Sequence, residues 1–140
     1  LFAPLIGASF STWSILTALP LMLLLAAAMG SLGILLATRI HSMEAFQAVM
    51  QMLMFPMVFL SGVFFPVEGL PSWMNVLVKL NPATYGIASI RQVLLGTADS
   101  SPFALTLLGH TMSLWENIGV LAAFGLLMHL LAMWSFGNQD

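Results

Sequence analysis

Three runs of this chain carry no charged side chain for long enough to cross a lipid bilayer: residues 1–38, 45–67 and 117–139. A hydrocarbon core of about 30 Å takes about 20 helical residues, so the second and third runs each fit one crossing. The first has room for a full helix over residues 14–38, preceded by the tail of another span or an interfacial loop. Backbone groups in lipid must be satisfied within their own segment, which favours helices over open strands, and the alternation of a barrel strand is missing. Only 6% of residues are charged and 60% are hydrophobic, whereas soluble domains carry about a quarter charged. The expected fold is an all-α integral membrane protein with transmembrane helices over 14–38, 45–65 and 117–136.

Charge and cysteine content narrow the function classes. A formal net charge of −2 with three Lys and Arg excludes the clustered basic surface that nucleic acid requires. The lack of cysteine excludes disulfides and thiolate metal sites. The opening "LFAPLIGASF" starts on Leu1 without the basic leader of a signal peptide, so the chain reads as a segment beginning inside a larger membrane protein.

Small residues at helical spacing mark two packing seams. Ala26, Gly30, Gly33 and Ala37 share one face of the first helix, and Ala122, Gly125 and Ala132 share one face of the last. Such spacing lets helix backbones approach closely in lipid, so both seams are expected to pack against protein. On the second helix Glu44, Gln47 and Gln51 recur at steps of three and four. Intramembrane polar groups face a bundle interior or a cavity; this stripe reads either as the wetted entrance to a path or as interhelical hydrogen bonding near the interface. Pro56 removes one backbone bond from the same helix and is expected to kink it.

The second span ends abruptly in "LSGVFFPVEGLP", residues 60–71, where Gly62 and Pro66 stop the helix and Gly69 and Pro71 start a new direction. Pro71 suits a first helical turn, and Ser72, Asn75 and Lys79 then line one face of a short amphipathic helix over 71–80. Asn81 caps a second short helix with Pro82 at its first position, running over 82–95 before Gly96. Neither is long enough to cross. The chain therefore makes a pair of interfacial or re-entrant half-helices between the second and third spans, and irregular backbone at that depth requires a cover of protein or a water-filled cavity.

Residues 55–96, "FPMVFLSGVFFPVEGLPSWMNVLVKLNPATYGIASIRQVLLG", closely resemble the signature region of the type-2 ABC transporter permeases, the membrane subunits of bacterial exporters. The resemblance rests on Pro56, Ser61-Gly62, Phe65-Pro66, Leu70-Pro71, Trp73, Asn81-Pro82, Thr84-Tyr85 and Arg91. It implies a six-helix permease of which this chain holds the last three helices, in a bacterial inner membrane. Residues 39–44 would be cytoplasmic, residues 66–116 external and the C-terminal tail cytoplasmic, although the Lys and Arg count points the other way by a single residue. It also implies a second permease subunit and a separate ATP-binding ABC subunit. ATP and magnesium would be held by that ATPase, since this chain has no phosphate-binding loop of its own and binds no cofactor. The candidate path or gate residues are Glu44, Gln47, Gln51, Pro56, Ser61, Gly62, Pro66, Asn81, Pro82, Tyr85 and Arg91.

Other polar residues carry rival readings. Arg91 ends a half-helix with Glu68, Asp99 or Glu116 as partners, or meets an anionic substrate or lipid head group. His129 lies beside Gly125 and Ala132 as a packing residue, or as a proton relay or ligand. An intramembrane serine protease would pair Ser61 with His129, but about ten residues of depth, some 15 Å, separate them. A membrane scaffold would leave the half-helices without a purpose. Trp73, Trp115, Trp134 and Tyr85 fall near helix ends, as interfacial anchors do.

Overall fold

A computed structural model describes residues 11–64, 70–95, 105–107 and 110–137. Along the chain run α1 (Thr12–Arg39), α2 (Met43–Leu60), α3 (Ser72–Leu80), α4 (Pro82–Leu95), a two-rung antiparallel ladder of β1 (Thr106–Leu107) and β2 (His110–Thr111), and α5 (Leu114–Gly137). Of these, α1, α2 and α5 are long and apolar enough to cross a membrane. The protein is an all-α integral membrane fold.

Local chemistry sets the helix ends. The hydroxyls of Ser11 and Ser42 accept the amides of Trp13 and Ala45, at 3.3 and 3.0 Å, and so open α1 and α2. At α5, Glu116 accepts the Ser113 amide at 2.7 Å while Ser113 Oγ accepts the Glu116 amide at 3.4 Å. This is a capping box, and it starts the helix three residues before the 117 expected from the charge boundary. In the other direction α2 stops at Leu60, short of the expected 65. Ser61 turns out of the helix and Gly62 adopts φ 78°, the left-handed position that only glycine takes without strain. Pro71 stands at the cap of α3 rather than in its first turn.

α1 and α5 form the framework. Gly125 lies so close to Ala28 that an added Cβ would stand 3.1 Å from its Cβ and 3.2 Å from its Cα. Ten residues further along both helices, Thr38 Oγ1 donates to Ser135 Oγ at 2.9 Å. The constant offset between these pairs makes α1 and α5 parallel, so α2 must run back between them. The 39–42 joint and the end of α5 therefore share one side, and α3, α4 and the ladder lie towards the other.

Only one of the two small-residue seams packs within this chain. Gly125 and Ala132 of α5 face α1, but α1 answers with Ala28 and Ser31. Ala26, Gly30 and Ala37 are exposed, and nothing lies within 4 Å of a Cβ added at Gly30 or Gly33. Within this chain the α1 stripe meets no partner, because helical phase turns it away from α5.

α4 is re-entrant. A Cβ on Gly86 would strike Leu25 Cδ1 at 2.7 Å, and Leu25 is halfway along α1, about 20 Å from either end at 1.5 Å per residue. Seven of its residues from Pro82 to Ser89 are buried. Buried Val78, Tyr85, Ala88, Leu105, Met112 and Leu121 meet Ala28 in the core. That core therefore lies on the α3–α4 side of the bundle.

Candidate functional site

The end of α2 is held by α4. A helix leaves its last carbonyls without intrahelical donors, and here side chains of the second half-helix supply them. Asn81 Nδ2 donates to Met57 O at 2.7 Å, Arg91 Nη2 donates to Gly62 O at 2.7 Å, and Thr84 Oγ1 makes a long contact of 3.4 Å with Leu60 O. Asn81 works in both directions, since its Oδ1 accepts the Ala83 amide at 3.0 Å and caps α4. Thr84 also donates to Val78 O at 3.0 Å, which ties α3 to α4. The polar residues of the 81–91 stretch thus close a joint between three helix ends.

Several expected roles change in this geometry. Tyr85 is buried, and its hydroxyl donates to Lys79 O at 2.6 Å. It is a core residue and no interfacial anchor. Trp73, Trp115 and Trp134 are exposed near helix ends, as is Trp13. Ser61 is buried and donates to Val58 O at 2.5 Å, whereas His129 is exposed. No hydrogen bond joins Ser61 and His129, so the hydroxyl is spent on backbone and the protease dyad is not formed. The exposure of His129 likewise contradicts a packing role within this chain. Glu116, one expected partner of Arg91, instead lies 3.4 Å from His110. Pro66, Glu68, Gly96 and Asp99 lie outside the described residues.

α2 itself has no buried residue. The half-buried positions Phe46, Val49, Met50, Met57 and Leu60 mark the side that meets the rest of the chain. Glu44, Gln47 and Gln51 are exposed on the opposite side, by helical phase. Beyond them Phe55 and Phe59 sit with ring centroids 4.6 Å apart, and Phe59 stacks with Phe64 at 5.3 Å. The outward face therefore begins polar at the joint and turns aromatic towards α3. Pro56 lies at the start of the aromatic zone, next to Phe55, without interrupting the helix, leaving the Met52 carbonyl without its usual donor.

Arg91 also edges a cleft of about 290 Å³ lined by Val63, Ile87, Ile90, Leu94 and Leu95. Two polar groups escaped notice in the sequence. Asn117 is fully buried with both amide atoms lacking a protein partner, and Gln92 Oε1 is likewise unpaired while its Nε2 donates to Met112 O at 3.1 Å. Nothing in the spacing of α5 distinguishes Asn117 from a boundary residue; only tertiary packing buries it.

Three apolar helices long enough to cross, with α1 and α5 parallel and α4 re-entrant between the last two, define a multi-pass membrane protein. Residues 1–95 match the family model described as ABC-2 type transporter, well over half of the chain. The chain belongs to the ABC-2 type transporter membrane family. It is similar to nodulation protein J of Rhizobium meliloti (strain 1021), 34% identical over 89 residues, which cover 63% of this chain and 34% of that protein. The protein of the same name from Rhizobium leguminosarum bv. trifolii is 33% identical over 88 residues, 62% of this chain and 34% of the relative. That of Sinorhizobium fredii (strain NBRC 101917 / NGR234) is 34% identical over 87 residues, 61% and 33%. The matched segment thus spans about a third of the length of these relatives. No solved structure matches the chain.

Proposed function

We propose that this chain supplies three crossing helices and the re-entrant pair to the permease subunit of an ATP-driven exporter in a bacterial inner membrane. The permease works as a pair of such subunits with two ATPase subunits, which hold the ATP and magnesium. The observation that carries this reading is α2: an entire membrane helix with no buried residue and a polar stripe turned away from its own chain. Polar side chains in lipid demand protein or water opposite them, so a path along α2 is the natural cover.

In this reading Glu44, Gln47 and Gln51 wet the entrance, and Phe55, Phe59 and Phe64 line the far half. A cargo with a polar part and an apolar part suits such a surface. Pro56 allows the helix to flex between the zones. Ser61, Gly62, Asn81, Pro82, Tyr85 and Arg91 belong to the external joint, which keeps the end of α2 with α4 while the rest of α2 moves. ATP binding closes the ATPase pair and favours one arrangement of the path. Moving such an equilibrium from 1:99 to 99:1 takes about 5.5 kcal/mol of differential binding, which the partner has to supply.

The test is expression of the full-length protein with its genomic neighbours. A tagged permease is expected to bring down a separate ATPase, and joint reconstitution is expected to raise the ATPase rate. If no ATPase co-purifies and reconstitution leaves the rate unchanged, the reading fails.

A further inference from the structure

At the end of the bundle opposite the half-helices, Arg39 is the last residue of α1 and the only Lys or Arg of the 39–44 joint. Its Nε donates to Ser135 Oγ at 2.9 Å, and its guanidinium carbon sits 5.7 Å from the centre of the Trp134 ring. Ser135 is itself buried and fixed by Thr38 Oγ1 at 2.9 Å. The head group is thus anchored through one nitrogen and one face. Its two terminal nitrogens have no hydrogen-bond partner among the described residues.

Directly beside it an open apolar groove of about 350 Å³ runs between α1 and α5, lined by Leu35, Leu36, Arg39, Leu131 and Trp134. A cation at one end of an apolar groove, at the end of two membrane helices, matches a molecule with an anionic head and a hydrocarbon tail. Arginine presents a planar fork that suits phosphate oxygens. Arg39 falls where head groups lie, because α1 is about 42 Å long at 1.5 Å per residue and exceeds the 30 Å hydrocarbon core.

We propose that Arg39, held by Ser135 and Trp134, binds the phosphate of an anionic glycerophospholipid whose acyl chain lies in the Leu35–Leu131 groove. The carbonyl ends of α1 and α5 also point to this side and carry partial negative charge, which disfavours an anion. Binding is therefore modest: one basic residue at an anionic surface gives about a fivefold preference. This site is independent of the transport reading and would exist in any protein with this end of the bundle.

The test uses the full-length permease with Trp134 as its sole tryptophan, in phosphatidylcholine vesicles. Small amounts of phosphatidylglycerol or phosphatidylcholine with brominated acyl chains are added, and quenching of Trp134 is measured. Brominated phosphatidylglycerol is expected to compete for Trp134 about fivefold better than brominated phosphatidylcholine. Arg39→Gln is expected to abolish that preference. Ser135→Ala keeps the charge but frees its anchor, and about twofold preference is expected to remain, part of the single-charge effect. Inorganic phosphate, matched in ionic strength by chloride, is expected to leave the signal unchanged, since it has no tail for the groove. Equal quenching by the two lipids in the unaltered protein overturns the proposal, and that comparison needs no variant to fold. An undiminished preference in Arg39→Gln or in Ser135→Ala, or displacement by phosphate alone, overturns it too.

Discussion

The α1–α5 interface and the α2–α4 joint hold two pairs of helices by opposite means. The first is a long parallel seam in which Gly125 lies against Ala28 and a hydroxyl pair, Thr38 and Ser135, closes one end. Its attraction is dispersion spread over many atoms, as expected where lipid removes the hydrophobic drive between helices. The second is a small set of directed bonds from Asn81, Thr84 and Arg91 to carbonyls at the end of α2. Below those bonds α2 has no fully buried residue. A seam resists relative motion everywhere, whereas a joint at one end permits rotation about it. The same 140-residue chain thus combines a closely packed pair with a helix held mainly at its two ends, by the short joint to α1 and by the bonds from α4.

Breaking the joint at its busiest residue has the largest expected effect. Asn81→Ala removes the bond to Met57 O and the cap of α4 together, at about 2–4 kcal/mol in total. Thermal unfolding of the full-length protein in detergent measures it, and an unchanged transition would show that α4 does not hold α2. Gly125→Val forces α5 away from the α1 backbone at about 1–3 kcal/mol by the same assay. Gly30→Ala and Gly33→Ala serve as its controls, with effects within about 0.5 kcal/mol, because an added methyl meets open space. If these controls destabilise as much as Gly125→Val, then the exposed α1 stripe meets protein outside this chain. Arg91→Gln, losing the charge-assisted bond to Gly62 O, is expected to cost at least about 1.5 kcal/mol and to slow transport. Asn117→Leu should have the smallest effect, close to zero or slightly stabilising, since the amide it replaces has no protein partner. A large loss there would reveal water or a ligand on the amide.

Much of this architecture was legible because the bilayer imposes it. Charge-free runs of fixed length gave the spans, and the alternating Gly and Pro after Leu60 gave the re-entrant pair. Asn81 was readable as a cap because Asn-Pro at a helix start has one local meaning. Its second bond, to Met57 O, was not, since contacts across 24 residues leave no trace in spacing. The partner of the α1 seam is not readable from spacing for a related reason. Periodicity identifies a face but not its partner, and Ala28 with Ser31 competes with Gly30 and Gly33 on equal terms until α5 is in place. Tyr85 was misplaced because an aromatic with a polar tip suits an interface and a core alike; the Lys79 carbonyl decides it. The resemblance to the transporter family identified the stretch from Pro56 to Arg91 as important, but gave no hint that its polar members would tie up backbone.

All of these readings turn on what covers the outward face of α2. Single cysteines at Gln47 and Gln51, in a full-length protein otherwise free of cysteine, can be challenged with a water-soluble thiol reagent in vesicles. Leu23→Cys, on an exposed apolar part of α1 (71% exposed), gives the baseline. Both α2 positions are expected to react well above that baseline, and their rates to change when the ATPase binds ATP. Reactivity as low as that of Leu23→Cys at both positions, with and without nucleotide, would place α2 in dry surroundings and contradict a path along it.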